Sequence, residues 1–364
     1  MTSLLVTGGA GFIGSNFARY ALAKNPRARV TVLDKLTYAG NLLTLRDLLP
    51  NPRFKLIRGD IADAGLVRKA LGACRPDWVV NFAAESHVDR SIEGPRVFVT
   101  TNVLGAFEML EASRRYWAGL PPARARGFRF LQISTDEVYG SLGPKGLFRE
   151  ETPYAPNSPY SASKAGADHL ARAYFETFGL PVLSTNCSNN YGPYQYPEKL
   201  IPLTLLNALE GKPLPIYGDG LNVRDWLYVG DHCEALWTVL SRGKAGEKYN
   251  VGGNSEKTNL AVVDTICAAL DEAVPAWENP ALRAKGLRRY SQLKVFVKDR
   301  PGHDRRYAID ASKIKRELGW KPRHGFKEGI RETVRWYLLN RIWCQKVQAG
   351  KYGRQRLGLT GGKK

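Results

Sequence analysis

The chain has 364 residues, of which 43% are hydrophobic and 24% are charged, values typical of a folded globular protein and not of a disordered one. This length is enough for one large domain or two ordinary domains with a real core. No apolar run approaches the ~20 residues that a membrane-spanning helix needs, and no basic region precedes the first apolar residues as in a signal peptide. We therefore expect a cytoplasmic protein with no membrane partner.

The five cysteines are scattered, odd in number and without a CxxC pair, which argues against a disulfide framework and a zinc site. We expect no metal. The net charge is +20, and part of the excess lies from Arg331 onward. This charge fits either a solvated basic surface or attraction of an anionic partner. Because no zinc-finger, KH or RRM signature accompanies it, we expect no nucleic-acid partner.

The first half of the chain alternates predicted strands and helices at the spacing of βαβ units. The predicted strands span residues 3–7, 29–33, 54–58, 77–82 and 128–133, and helices are predicted at 15–24, 64–71 and 99–115. This alternation predicts an α/β fold with a Rossmann-type, doubly wound parallel sheet.

After residue 186 prolines break the pattern into loops and short elements. Helices are predicted at 200–210, 231–241, 259–271 and 326–340. We predict an NAD-binding domain over residues 1–187. Residues 188–364 are expected to form a smaller mixed α/β domain that binds the substrate, with some segments returning to the first domain.

Gly8, Gly11 and Gly14 lie between the first predicted strand and the helix that follows it. Glycines there allow a tight turn and a close approach of the backbone to a pyrophosphate. The helix N-terminus adds free N–H groups and a partial positive charge. The pattern predicts a dinucleotide site.

Asp34 follows Gly14 by twenty residues and ends the second predicted strand, where an acid can accept the ribose hydroxyls. A carboxylate there repels a 2′-phosphate and favours NAD over NADP, although the neighbouring Lys35 weakens this preference. Asp60 ends the third predicted strand, where it either faces the adenine or serves as a turn residue.

Tyr160 and Lys164 are four residues apart and share one face of a helix. A free tyrosine has a pKa near ~10, and a nearby ammonium together with a positive nicotinamide is expected to favour the phenolate. Ser134 and Thr135 end the fifth predicted strand, and Asp136 follows them directly. A Tyr/Lys pair beside a dinucleotide predicts oxidation of an alcohol.

These residues, in this order, resemble the extended short-chain dehydrogenase/reductase family. The stretches 83–91, 134–140, 189–195 and 300–307 are similar to those of the nucleotide-sugar 4,6-dehydratases within it. The resemblance covers nearly the whole chain. It implies NAD as the cofactor and a nucleotide-diphosphate hexose, most simply dTDP-glucose, as the substrate.

In that family the sugar is oxidised at C4, loses water across C5 and C6, and takes the hydride back at C6. The resemblance implies that Tyr160 is the base at O4, with Thr135 and Lys164 beside it. Asp136 would be the acid that protonates the departing C6 hydroxyl, and Glu137 the base that removes the C5 proton. This assignment requires the two carboxyl pKa values to differ, with Asp136 protonated.

The resemblance also implies binding residues. Cofactor contacts are expected from Gly8, Gly11, Phe12, Ile13, Gly14, Asp34, Lys35, Leu36, Thr37, Asp60, Ile61, Phe82, Ala83, Ala84, Ser86, Thr101, Tyr160, Lys164 and Asn190. Substrate contacts are expected from Ser86, Thr135, Asn189, Lys199, Leu200, Pro215, Ile216, Tyr217, Arg224, Asn259, Arg300 and His303. The two arginines are expected to hold the diphosphate, because guanidinium groups suit phosphate oxygens.

Two alternatives share the fold: a UDP-sugar 4-epimerase and a UDP-sugar decarboxylase. An epimerase needs only Tyr160 and Lys164 and has no use for Asp136 and Glu137. A decarboxylase is expected to lack a carboxylic acid directed at C6. A non-catalytic NAD- or nucleic-acid-binding protein is a third alternative, and the basic charge is its only support.

The predicted helices at 99–115 and 160–178 resemble those that pair across a two-fold axis in this family. The resemblance therefore implies a homodimer.

Overall fold

The computed structural model describes residues 2–299 and 304–349 of the chain. Twelve strands lie within these residues: β1 (Ser3–Thr7), β2 (Arg29–Asp34), β3 (Phe54–Arg58), β4 (Trp78–Asn81), β5 (Arg129–Thr135), β6 (Val182–Cys187), β7 (Asn189–Tyr191), β8 (Leu214–Tyr217), β9 (Val223–Tyr228), β10 (Lys248–Val251), β11 (Glu256–Thr258) and β12 (Lys294–Val297).

The same residues contain the helices α1 (Phe12–Lys24), α2 (Ala64–Cys74), α3 (Val88–Glu93), α4 (Pro95–Phe98), α5 (Gly105–Ala118), α6 (Pro122–Gly127), α7 (Pro159–Phe178), α8 (Leu200–Leu209), α9 (Val229–Arg242), α10 (Asn259–Ala273), α11 (Pro280–Arg283), α12 (Ser312–Leu318), α13 (Phe326–Leu339) and α14 (Arg341–Gln348). Short 3₁₀ helices span Leu42–Leu45, Asp136–Tyr139 and Tyr290–Leu293, and a π-helical segment spans Val99–Leu104.

Seven strands form one parallel sheet in the order β10-β6-β5-β4-β1-β2-β3. The chain crosses from β3 to β4 on the opposite side of β1, so the direction of winding reverses between β1 and β4. In a doubly wound sheet, ligands bind in the crevice at the carboxyl ends of the strands at this reversal. The predicted Rossmann-type fold class is confirmed.

Helices cover both faces of the sheet. Along β1, Leu4 and Val6 pack toward α1, α9 and α12, whereas Leu5 packs toward α2, α5 and α7. This alternation follows from the two-residue period of a strand. All three side chains are fully buried, and each such burial stabilises the fold by roughly 2 kcal/mol.

Segments from the second half of the chain return to this sheet. The edge strand β10 pairs in parallel with β6, and α9 packs against the sheet beside α1. The sequence pattern did not predict β10, because its four residues include Lys248 and Asn250 and show no apolar run. The division into domains at residues 187 and 188 stays a prediction.

The predicted helix over 99–115 differs in detail from the structure. Its first part, Val99–Leu104, is π-helical, and α5 continues to Ala118. π-helical segments are frequent at functional sites. Here the segment carries Thr101, which lines a cavity at the carboxyl ends of the central strands.

The remaining strands form smaller sheets, in the orders β11-β9-β7 and β12-β8. They share a second core with α8, α10 and α13. Since β7 starts two residues after β6 ends, this part of the molecule begins at the carboxyl edge of the central sheet. No helix among the described residues is long and apolar enough to cross a bilayer.

Candidate active site

A cavity lies at the carboxyl ends of β1, β2, β4 and β5, where the winding of the sheet reverses. Buried polar side chains tie three of these strands together just below it. The Thr7 hydroxyl donates to Asn81 Oδ1 (2.6 Å), and Asn81 Nδ2 donates to Gln132 Oε1 (2.9 Å). These bonds hold the ends of β1, β4 and β5 in register below the cavity.

The turn between β1 and α1 lies against the backbone that directly follows β4, at Phe82 and Ala83. A Cβ atom on Gly8 would lie 2.7 Å from the Ala83 nitrogen, and Gly8 has a positive φ of 66°. A Cβ atom on Gly14 would lie 2.5 Å from the Gly8 carbonyl oxygen. The turn is thus a cradle that side chains would fill, and the first N–H groups of α1 point out of it without intrahelical partners.

Asp34 connects this turn to the end of β2. Its Oδ2 accepts the Ala10 N–H and its Oδ1 accepts the Leu36 N–H, both at 2.8 Å. Each carboxylate oxygen keeps a further lone pair for a hydroxyl donor. Lys35 Nζ lies 2.6 Å from Asp60 Oδ2, so the two residues that flank the predicted ribose site form an ion pair. The residues present fit a dinucleotide with an unphosphorylated 2′-hydroxyl.

Thr135, Asp136 and Glu137 lie where β5 passes into a 3₁₀ turn. The Thr135 hydroxyl accepts the Glu137 N–H (3.3 Å), which caps the turn, and it lies 3.3 Å from Asp136 Oδ1. Asp136 is 1% exposed, and its Oδ2 has no hydrogen-bond partner among the residues that the structure describes. All three residues line the cavity.

Burial raises the pKa of Asp136 well above its ordinary value, and the negative charges of Glu137 and Asp225 add to this effect. Arg224 and the Thr135 hydroxyl oppose it less strongly. This shift favours the protonated form of Asp136, which a general acid requires. From the sequence we could say that the proposed role of Asp136 requires a raised pKa, but the sequence could not show that the pKa is raised.

Tyr160 and Lys164 lie on α7, whose N-terminus is defined by a capping box between Ser158 and Ser161 with Pro159 at the first position. Lys164 Nζ donates to the carbonyl oxygen of Ile133 (2.6 Å) on β5. Both side chains line the cavity beside the Thr135–Glu137 turn.

The pKa of Tyr160 differs from the sequence-based expectation. Burial raises this pKa well above its ordinary value, and Glu137 raises it further, while a hydrogen bond with Thr135 lowers it. The expected stabilisation of the phenolate is therefore not provided by the residues of the chain. Burial also lowers the pKa of Lys164.

A family model described as GDP-mannose 4,6 dehydratase matches residues 5–333 of the chain. The dTDP-glucose 4,6-dehydratase of Xanthomonas campestris pv. campestris (strain B100) is 59% identical over 360 residues, which cover 99% of this chain and 100% of that protein.

The chain belongs to the GDP-mannose 4,6 dehydratase family.

Solved structures of this family agree with the fold. The crystal structure of dTDP-glucose 4,6-dehydratase from Bacillus anthracis in complex with NAD is 47% identical, with a TM-score of 0.81, and the match covers 95% of this chain and 100% of that one. The dTDP-glucose 4,6-dehydratase of Streptomyces venezuelae, also with NAD bound, is 47% identical with a TM-score of 0.82 over 95% and 99% of the two chains. The resemblance drawn from the sequence motifs is confirmed.

Most of the residues predicted from the 4,6-dehydratase motifs line this same cavity. These are Gly8, Gly11, Phe12, Ile13, Gly14, Asp34, Lys35, Thr37, Asp60, Ile61, Phe82, Ala83, Ala84, Ser86, Thr101, Thr135, Asp136, Glu137, Tyr160, Lys164, Asn189, Asn190 and Lys199. One contact links two distant members of this set, and another ties a member to a buried histidine. Lys199 Nζ donates to the Ser86 carbonyl oxygen (3.2 Å), and Asn190 Oδ1 lies 2.8 Å from the buried His232 Nδ1.

Other predicted residues lie outside the lining of this cavity: Leu36, Leu200, Pro215, Ile216, Tyr217, Arg224 and Asn259. Leu36 contributes its backbone N–H to Asp34. Tyr217 and Asn259 lie at the two sides of the turn 218–222, where their backbones bond Gly220 and Asn222. Their roles toward a substrate stay predictions.

Arg224 is buried on β9, with its guanidinium 4.3 Å from the centre of the Tyr307 ring. It donates to the carbonyl oxygens of Val223 (2.7 Å) and Asp304 (2.9 Å). Arg300 and His303, which the sequence also assigned to the substrate, lie outside the described residues. The predicted diphosphate contact of Arg224 stays a prediction.

Several residues that line the cavity were missed from the sequence. They are Leu33, Ala39, Gly40, Gly59, Glu85, Ile133, Ser134, Cys187, Ser188, Gln195, Tyr196 and Glu198. A signal existed for some, because Glu85 and Glu198 each adjoin a predicted residue. For Gly40 the reason is geometric: a Cβ atom there would lie 2.7 Å from Asp34 Oδ1. The fold brings Gly40 and Asp34 together, and no sequence motif signals such a contact.

Proposed function

We propose that this protein converts dTDP-glucose to dTDP-4-keto-6-deoxyglucose and water, with NAD held tightly because it is regenerated in each turnover. One observation carries the reaction type. The buried carboxyl group of Asp136, whose pKa is raised by its surroundings, lies beside Glu137 in the cavity that is also lined by the glycine turn, Tyr160 and Lys164. The names of the relatives at 59% and 47% identity support the choice of sugar nucleotide.

NAD rather than NADP is supported by the contacts of Asp34 and Lys35. The negative charge of an ionised Asp34 carboxyl group would repel a 2′-phosphate, and the Lys35 ammonium is paired with Asp60 (2.6 Å). Lys35 therefore does not offer the free cation that a phosphate would need. The glycine turn and Asp34 would hold NAD, and the bound cofactor would supply a hydride acceptor for C4, a hydride donor for C6 and a positive ring charge.

The first chemical step falls to Tyr160, Thr135 and Lys164. Tyr160 takes the proton from O4, and the Thr135 hydroxyl hydrogen-bonds at the same oxygen. Because burial and Glu137 raise the pKa of Tyr160, its phenolate needs a neighbouring positive charge, which the nicotinamide ring of bound NAD would supply.

The second step falls to Asp136 and Glu137. Once C4 is a ketone, the C5 proton is acidic and Glu137 removes it. Asp136, protonated and buried, donates its proton to the departing C6 hydroxyl, which leaves as water. Glu137 returns its proton to C5 as C6 takes back the hydride, and the proton that Tyr160 took from O4 replaces, by way of solvent, the one that Asp136 gave up. Two adjacent carboxyl groups can thus perform opposite tasks, because burial keeps Asp136 neutral.

The two alternative reactions of this fold, 4-epimerisation and decarboxylation, have no use for the carboxyl groups of Asp136 and Glu137. A 4-epimerase would carry a buried, protonated Asp136 at a cost in stability and for no chemical gain. A decarboxylase would likewise have no departing hydroxyl for Asp136 to protonate. A non-catalytic binding protein would not need the Tyr160/Lys164 pair either.

The test is to incubate the purified protein separately with dTDP-glucose, UDP-glucose, GDP-mannose and UDP-glucuronate and to analyse the products by mass spectrometry. We expect loss of one water, fastest with dTDP-glucose. A product of unchanged mass with inverted C4 would indicate an epimerase, and loss of carbon dioxide from UDP-glucuronate a decarboxylase. Either outcome, or faster dehydration of another sugar nucleotide, would overturn the proposal as stated.

We further propose that the protein is a homodimer formed through α4, the π-helical segment, α5 and α7. Apolar side chains on these elements are exposed in the single chain: Val97, Val99, Leu104, Phe107 and Phe178. Clustered exposed apolar residues mark interaction sites, and a two-fold interface is the commonest kind. The cytoplasmic location also stays a prediction, supported by five cysteines that are all free.

A further inference from the structure

Asp168 is a buried acid of the active-site helix that has no role in the mechanism above. It lies on α7, four residues after Lys164, so the two side chains share one face of the helix about one turn apart. Asp168 is 6% exposed and does not line the main cavity. It contributes instead to a second cavity, together with Tyr154 and Lys248, at the β6–β10 edge of the sheet.

The carboxylate of Asp168 is held by two hydroxyl groups. Its Oδ2 accepts the Ser134 hydroxyl (2.5 Å) and the Tyr154 hydroxyl (3.0 Å). Its Oδ1 is buried and has no hydrogen-bond partner among the described residues. A buried carboxylate with an open oxygen is costly unless a nearby positive charge offsets it.

These contacts tie Asp168 to the chain just before the reactive residues. Ser134 directly precedes Thr135, and Asn186 Nδ2 donates both to the Thr135 carbonyl oxygen (3.0 Å) and to the Tyr154 hydroxyl (3.3 Å). Hydrogen bonds among Asp168, Ser134, Tyr154 and Asn186, and from Asn186 to the Thr135 backbone carbonyl, therefore connect α7 to the end of β5. This arrangement holds the helix that carries Lys164 against the strand whose end carries the reactive turn.

The charges around Asp168 come from several elements. Lys164 faces it from α7 and Lys248 from β10, and both lower its pKa, although burial raises that pKa more strongly. Around Lys164, burial lowers the pKa, whereas the charge of Asp168 and, less strongly, Cys187 at the end of β6 raise it. The phenol groups of Tyr139 and Tyr154 also face Asp168.

We propose that Asp168 is a positioning residue of the reaction, whose carboxylate keeps the buried Lys164 in its ammonium form and fixes α7 against the end of β5. The Lys164 ammonium donates to the Ile133 carbonyl oxygen and needs an anion, and Asp168 provides it from outside the main cavity. An acid inside the cavity, such as Asp136 or Glu137, must change its protonation during turnover. Asp168 lies outside the lining of that cavity and takes no part in those proton transfers. The proposal rests on the proposed function only in assigning Tyr160 and Lys164 to the oxidation step.

The first test measures Lys164 directly, without substrate. Lysine carrying an isotope label is incorporated, the Lys164 signal is assigned by its loss in Lys164→Met, and its titration is followed by NMR. In Asp168→Asn we expect Lys164 to lose its proton at a pH lower by at least ~1 unit, because the opposite charge has been removed. Glu176→Gln, which changes an exposed acid on the same helix to its amide, serves as the matched control and should leave the titration unchanged.

The second test isolates the oxidation step in an Asp136→Asn background, where loss of water is blocked. Adding Asp168→Asn should slow formation of the reduced cofactor about tenfold at neutral pH and move the alkaline fall of this rate to lower pH. Asp168→Glu, which keeps the charge, should restore most of the rate. A merely structural role would lower the rate equally at every pH and leave the Lys164 titration where it was, and that result would overturn the proposal.

A variant that keeps Asp168 covers the case in which Asp168→Asn does not fold. Tyr154→Phe removes one donor to Oδ2, which raises the pKa of Asp168, and should shift the Lys164 titration in the same direction by a smaller amount. No shift in either variant would refute the assignment. The Lys164 titration needs no sugar nucleotide. Its result therefore remains valid even if the protein dehydrates none of the sugar nucleotides used to test the proposed function.

Discussion

Asp136 and Glu137 show how two adjacent carboxylic acids can differ in chemical role within one chain. Asp136 and Glu137 are neighbours, and their order in the sequence contains nothing that separates their pKa values. In the structure Asp136 is buried, with Oδ2 lacking a partner in the described part of the chain, and this burial raises its pKa. In the proposed reaction it is the environment of Asp136, and not its side-chain type, that would suit it to act as the acid.

Asp136→Asn should keep oxidation at C4 and block loss of water, because the amide has the shape of the acid but no proton to give. We expect the rate of water loss to fall by about 100-fold or more. Reduced nicotinamide should accumulate after mixing with substrate, as measured by its absorbance, with water loss followed by mass spectrometry. Glu278→Gln, an exposed acid far along the chain, is the control, and parental water loss in Asp136→Asn would contradict the assignment.

The same substitution should stabilise the protein at neutral pH. The folded pKa of Asp136 lies above the unfolded value of about 3.9, so the stability that its protonated form contributes is complete below that value and is lost as pH rises toward the folded pKa. An amide does not suffer this loss. We expect the melting temperature of Asp136→Asn to exceed that of the parent by about 2 °C at pH 7.

Thermal unfolding over a pH series checks this expectation. The difference should shrink as the pH falls and should vanish below about pH 4, where the carboxyl group is neutral in both states. A lower melting temperature in Asp136→Asn by the same amount at every pH would show instead that Asp136 stabilises the fold through its packing.

At the scale of elements, the β1–α1 turn depends on the close approach of two backbones. The carbonyl oxygen of Gly8 accepts the Gly11 N–H (3.1 Å) and lies under the first turn of α1, at Gly14. The glycine motif therefore predicts this element reliably, because no other residue type leaves this space.

Gly14→Ala should abolish retention of the cofactor and destabilise the fold, since its Cβ atom would lie 2.5 Å from the Gly8 carbonyl oxygen. The measurement is the NAD released per protein chain on denaturation, together with the melting temperature. Gly72→Ala on α2 is the matched control, because nothing lies within 4 Å of its added Cβ atom. It should retain NAD and gain about 1 kcal/mol from helix propensity. Equal NAD content in the two variants would refute this role of the turn.

At the scale of the whole molecule, the +20 charge still has no assigned partner, whereas the exposed apolar residues of α4, α5 and α7 have a proposed one. Changing Leu104 and Phe107 together to Asp should convert the proposed dimer into a monomer, because charges on the interface would have to be buried. Light scattering measures the mass. Leu49→Asp, at a similarly exposed apolar position on another surface, should remain a dimer, and a monomeric parent chain would contradict the proposal.

Much of the fold could be predicted because its signals are local. The strands β1 and β3 and the helices α8 and α10 follow from apolar patterns, proline breaks and helix periodicity within a few residues of each other. The edge strand β10 could not be predicted in this way, because its pairing with β6 joins residues that are more than sixty positions apart.

The sequence by itself determined the parallel sheet, the glycine turn and the residue types of the reactive set, because each is encoded by spacing along the chain. Only the tertiary structure decided the direction in which the pKa of each of these groups is shifted. It buries Asp136, Tyr160, Lys164 and Asp168 from different positions in one region, where loss of solvent shifts every pKa toward the neutral form. Burial and the distances between charges are properties of three-dimensional packing, and for that reason no motif displays them.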